Sequence, residues 1–154
     1  MEFLIIKWIH ILSAILLFGT GLGSAFYKFF TDRTGDITAI AVTNRLVVYA
    51  DWIFTTPAII IQPITGFWML HLLNLNIETP WLWLSLALYF IAGACWLPVV
   101  VLQIRMRDLA EKCIAEQQPL HNNYHRMART WTLLGIPAFA AMVAVVWLMV
   151  VKTI

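Results

Sequence analysis

The stretch Tyr49-Ala50-Asp51-Trp52-Ile53-Phe54-Thr55-Thr56-Pro57, running on through Gln62-Pro63 to Gly66, decides how the chain is read. It is apolar enough to lie in lipid. It also carries a carboxylate, hydroxyls, an amide and two prolines. Lipid offers no water to such groups, so they must face protein, cofactor or a wet cavity. The rest of the chain is then expected to enclose this helix.

Composition agrees. Of 154 residues, 62% are hydrophobic and 12% charged, against about 45–50% and about 25% in soluble domains. That points to one all-α membrane domain spanning residues 1–154. Net charge is +2 with dispersed basic residues, which argues against a nucleic-acid partner. Cys95 falls in an apolar segment and Cys113 in a polar loop, so no disulfide framework is expected.

A spanning helix needs roughly 20 mostly apolar residues. Four segments qualify, at about 3–30, 46–73, 81–104 and 130–151. The N-terminal run, with Lys7 and Gly23-Ser24-Ala25, has the look of a leader. It is read here as the first spanning helix. Loops are expected at 31–45 and 105–129, with a helical extension over Arg107–Gln118 stopped at Pro119. The short 74–80 connection makes helices two and three an antiparallel hairpin.

Eight Lys and Arg residues flank the loops at 31–45 and 105–129, against Lys7 and Lys152 on the other side. The positive-inside rule then puts both loops in the cytoplasm and both termini outside. Trp8, Trp68, Trp81, Trp83 and Trp147 form an aromatic belt at the outer interface.

Several groups could carry chemistry. His10, Ser13, Leu17, Thr20 and Ser24 share a face of helix one, and Gly19 and Gly23 would let a neighbouring helix approach closely. The stripe reads either as interhelical hydrogen bonding or as a site where His10 ligates a haem iron or transfers protons. Asp51, Thr55, Ala58, Gln62 and Thr65 share a face of helix two. Asp51 is a functional candidate or half of an ion pair. Arg45 is the nearest cation in sequence, and Arg126 or Arg129 is better placed. Pro57 and Pro63 should bend the helix.

His71 ends helix two and is a weaker partner for His10 in a bis-imidazole pair. At about 100° per residue it faces away from Gln62 unless the bend at Pro63 turns it back. His121 and His125, four apart near the start of helix four, read as solvated residues or a one-sided metal pair. Ala92, Gly93 and Ala94 in helix three leave room for close packing or a flat cofactor. Ser85, Tyr89, Trp96 and Gln103 lie along its side, and helix four offers Trp131, Thr132, Gly135 and Pro137. No phosphate loop, Cys-x-x-Cys, Gly-x-Ser-x-Gly or His-Glu-x-x-His is present.

The pattern Ala50-Asp51-x-x-Phe54-Thr55-x-Pro57…Gly66, the Lys7-Trp8-Ile9-His10-Ile11-Leu12-Ser13-Ala14 run and the Phe26–Arg33 segment resemble the DUF2269 family of predicted bacterial integral membrane proteins. More distantly, His10 and Thr55-x-Pro57…Thr65-Gly66 look similar to HemJ-type protoporphyrinogen oxidases and CopD-like copper-resistance proteins, four-helix haem-associated proteins. Residues 80–85 hold no lysine where HemJ-type proteins carry one. The resemblance implies a four-helix protein of the bacterial inner membrane.

Three functions follow as expectations. The first is b-type haem on His10, with the quinone pool as a redox partner. The second is an accessory or assembly subunit of a larger membrane complex, or a homodimer. The third is a proton or small-solute carrier organised on Asp51, Thr55 and Gln62.

Overall fold

A computed structural model of the chain describes residues 1–75 and 79–151. Lys152, counted above for orientation, lies outside them, as does part of the 74–80 connection. The helices are α1 (Glu2–Thr34), α2 (Ile37–Ala50), a π-helical turn (Asp51–Thr55), α3 (Thr56–Leu72), α4 (Pro80–Ala115) and α5 (Asn122–Val151). Because α2, the π turn and α3 are continuous, four helices are long and apolar enough to cross a membrane. No strand occurs among the described residues.

The expected loops are mostly helix. The break after α1 is two residues long. Gly35 takes the left-handed conformation, φ 71°, that ends a helix without a Cβ penalty. Asp36 then caps α2, its Oδ1 accepting from the Thr38 and Ala39 amides at 2.9 and 3.3 Å. Residues 37–45 are therefore helical. At the other expected loop α4 continues to Ala115 and α5 begins at Asn122, leaving 116–121 as the connection. The extension predicted over Arg107–Gln118 ends three residues early.

The spanning segments run 30 to 36 residues, so at roughly 1.5 Å per residue they outreach a hydrocarbon core about 30 Å thick. The surplus builds a helical cap at the end bearing residues 35–36 and 116–121. Its helices show the pattern of water-facing helices. On α4, Met106, Ala110 and Cys113 are buried while Arg105, Asp108, Glu111 and Lys112 are exposed. Cys113 thus lies in a core, not a polar loop. With Ile40, Ala41, Val99, Tyr124 and Trp131, Met106 and Ala110 make a contiguous apolar cluster. Elsewhere large apolar side chains point outward, as lipid allows: Phe90 and Leu133 are each 69% exposed.

Helix α1 packs on α2 and α3, α2 on α4, and α4 along α5. Between α1 and α5 the Phe18 and Phe139 rings meet edge to face, centroids 5.7 Å apart. Gly19 and Gly23 do not mark a close crossing, since a Cβ at either would meet nothing within 4 Å.

Candidate functional site

Pro57 has no amide hydrogen and its ring crowds the carbonyl four residues back, which disfavours a regular α-turn there. The chain widens instead, with the Thr56 amide bonding the Asp51 carbonyl five residues back. Single π turns of this kind recur at functional sites. Here the extra residue divides the expected polar stripe in two.

The first half, Asp51 and Thr55, faces the interior. Thr55 Oγ1 donates to Asp51 Oδ1 at 2.8 Å. Both residues are 5% exposed. Gln103 of α4, 3% exposed, is the other polar neighbour of the carboxyl. None of the cations proposed for Asp51 pairs with it: among the described residues the ion pairs are Lys28–Asp32, Arg107–Asp108 and Lys112–Glu116. Arg45, Arg126 and Arg129 are exposed. They lie on the surface while Asp51 is buried.

Asp51 and Thr55 line a cavity of about 450 Å³ bounded by all four spanning helices. Leu17, Phe18 and Leu22 of α1, Ile59 of α3, and Ile136 and Phe139 of α5 supply apolar walls. Ala92 and Gly93 of α4 and Gly135 of α5 leave it open, since a Cβ on either glycine would meet nothing within 4 Å. Trp96, Gln103 and Trp131 line it as well.

Four buried side-chain atoms lack a hydrogen-bond partner among the described residues, and three belong to residues that line this cavity: Asp51 Oδ2, Trp96 Nε1 and Trp131 Nε1. Buried polar atoms are normally paired, and each exception calls for a cause. The other lining hydroxyls are spent. Ser24 donates to the Gly21 carbonyl, Thr132 to the Ala128 carbonyl and Tyr89 to the Ile59 carbonyl. The Ile59 carbonyl is the one Pro63 leaves without its usual helical donor.

The second half of the stripe faces α1. Gln62 Nε2 donates to Ser13 Oγ and to the His10 carbonyl, both at 2.8 Å. His10 Nδ1 lies 2.7 Å from Thr65 Oγ1. The imidazole packs on Gly66, its Cε1 3.6 Å from where a Cβ would stand. His10 and Gln62 do not line the cavity. His71, exposed, lines a separate shallow pocket with Phe67, Leu70, Asn74 and Leu75. His10 is not part of that lining. His125 is on α5 and His121 precedes it, both exposed. No group of three metal-ligating side chains occurs among the described residues.

A second buried cluster was not foreseen. Lys28, 1% exposed, donates to Asp32 Oδ2 and to the Tyr124 hydroxyl, each at 2.9 Å. Tyr124 in turn donates to Asp32 Oδ1 at 2.6 Å and accepts from Asn44 Nδ2 at 2.8 Å. The ammonium also stands 5.7 Å from the Trp131 ring centroid, within cation–π range. Trp131 thus separates the cavity from this network. The i, i+4 spacing of Lys28 and Asp32 was the one available signal.

The family described as predicted integral membrane protein DUF2269 matches residues 4–153, and the chain belongs to it. No curated protein and no solved structure matches.

Proposed function

We propose that this integral membrane protein binds a lipid-soluble small molecule in the four-helix cavity, with its polar end at Asp51. The observation that carries the reading is the unpartnered Oδ2 of a 5% exposed carboxylate lining an apolar cavity of about 450 Å³. Pockets of this size with apolar walls and a few convergent polar groups are the usual form of small-molecule sites. An intramembrane carboxylate without a cation is costly to keep for structure alone. The reading develops the expected carrier on Asp51 and Thr55, with Gln62 assigned to the α1–α3 contact instead. We orient the helical cap to the cytoplasm of a bacterial inner membrane, following its Lys and Arg content.

The test uses 1-decanol as an apolar probe on the full chain in mild detergent. The wild type should gain thermal stability with added probe, as any ligand selective for the folded state produces. Gly135→Leu, which puts a side chain into the cavity from a position where a Cβ meets nothing within 4 Å, should lose that gain. An equal response of both proteins would overturn the reading.

A second reading, b-type haem on His10, is favoured by one observation. The Ile61 carbonyl lies 2.7 Å from the Thr65 hydroxyl and offers an acceptor for its proton, an arrangement in which the oxygen accepts from His10 Nδ1–H. That tautomer leaves the Nε2 lone pair for a metal, the arrangement typical of ligating histidines. His10 would hold the iron; haem would supply one-electron chemistry with the quinone pool. Such a haem would lie apart from the cavity, whose lining includes no histidine. A reduced-minus-oxidised spectrum tests it: a b-type band lost in His10→Ala supports the reading, and a band retained there defeats it.

A further inference from the structure

We propose that the molecule held in the cavity is of the p-quinone or hydroquinone class, a flat ring bearing two oxygens and an apolar tail. This rests on the reading of the cavity as a small-molecule site. The argument begins from which polar atoms are unspent. They are one carboxylate oxygen, Asp51 Oδ2, and two indole donors, Trp96 Nε1 and Trp131 Nε1; the Gln103 amide, the remaining polar group of the lining, is engaged with the Asp51 carboxyl. They come from three different spanning segments around the cavity. Two oxygens on opposite edges of a ring reach groups on separate walls, which a single hydroxyl does less well.

Other ligand classes leave a mismatch. A fatty acid sets a carboxylate beside Asp51, with no cation in the lining to separate them. An amine satisfies Asp51 and turns further donors toward two indole donors. An alkanol offers one oxygen to three unspent atoms. A ring with two oxygens serves the whole set as the hydroquinone and the two indoles as the quinone. Quinone carbonyls accept from the indoles, and hydroquinone hydroxyls donate to the carboxylate and still accept from an indole.

Shape agrees with this chemistry. Gly93 on α4 and Gly135 on α5 each present open space where a side chain would begin. Ala92 continues the low wall beside Gly93. Apolar side chains such as Leu17, Leu22 and Phe139 supply surface for a tail.

The experiment compares decyl-substituted p-benzoquinone with 1-decanol, probes of equal tail length, on the full chain in mild detergent. Wild-type protein should bind the quinone at least about tenfold more tightly, the factor that one or two added hydrogen bonds supply. Trp96→Phe, which keeps a ring and removes the donor, should weaken quinone binding by about tenfold and leave decanol within about twofold. Trp131→Phe is the second variant, should Trp96→Phe fail to fold, with the same selective loss expected, because the quinone carbonyls accept from the indoles. Gly93→Leu should abolish both.

Equal affinity for the two probes, or an unchanged preference in both polar variants, would overturn the quinone class. The cavity reading would survive that result if Gly93→Leu still blocked binding. If neither probe bound in a manner that Gly93→Leu removes, the cavity reading would fall and the ligand class with it.

Discussion

His10 Nδ1 lies 2.7 Å from Thr65 Oγ1, across the contact between α1 and α3. With the Thr65 proton on the Ile61 carbonyl, 2.7 Å away, the histidine is the donor and threonine the acceptor. Removing that acceptor strands an N–H where water is scarce. Thr65→Val is therefore expected to cost about 1–3 kcal/mol, and Thr65→Ser little. Thermal unfolding in detergent distinguishes them; equal loss in both would mean the hydroxyl has no such role.

The neighbouring glycine gives a steric prediction. A Cβ at Gly66 would sit 3.6 Å from His10 Cε1, an ordinary contact. Gly66→Ala should leave the protein near wild type, while Gly66→Leu should displace the imidazole. If haem is bound, only the leucine variant should shift its spectrum.

In the cap, the Tyr124 hydroxyl accepts from Lys28 and Asn44 and donates to Asp32. Tyr124→Phe keeps the ring and removes all three bonds, leaving the Lys28 ammonium enclosed with a single carboxylate. A loss of about 2–4 kcal/mol is expected, read as a lower midpoint in chemical denaturation. A change below about 0.5 kcal/mol, the scale of ordinary surface substitutions, would show that solvent reaches the cluster.

Tyr89 and Pro63 should be energetically coupled. Proline frees the Ile59 carbonyl and the Tyr89 hydroxyl takes it. Tyr89→Phe alone is expected to cost about 1 kcal/mol. In a Pro63→Ala background the alanine amide can serve Ile59, so the same change should cost less. A double-mutant cycle measures the difference; strict additivity would separate the two residues.

Hydropathy located the spanning segments, because lipid-facing positions must be apolar whatever their neighbours. It failed at the helix ends. Residues 105–115 are polar on average, and 37–45 follow a polar break and end in Asn44-Arg45, yet Ile40, Ala41 and Asn44, and Met106, Ala110 and Cys113, are buried at helical spacing. Mean polarity reports depth in the membrane, whereas helicity there rests on periodicity, the Gly35 stop and the Asp36 cap.

The site was legible in the same uneven way. Asp51 stood out because a carboxylate in an apolar run has few bland explanations. That Asp51 and Gln62 turn to different neighbours was hidden, since an ideal helix keeps them on one face and the π turn before Pro57 does not. The contact of His10 with Thr65 spans 55 positions, and no local pattern announces it. Trp96 and Trp131 stood among the groups offered by helices three and four, but their unspent indole donors exist only in the assembled bundle.

The account turns on whether the cavity over Asp51 holds a molecule. A native mass spectrum of the gently extracted chain, with Gly93→Leu beside it, asks this directly. The expected result is one small-molecule adduct per wild-type chain, absent from the variant. Bare chains in both spectra, or the same adduct in both, would contradict it.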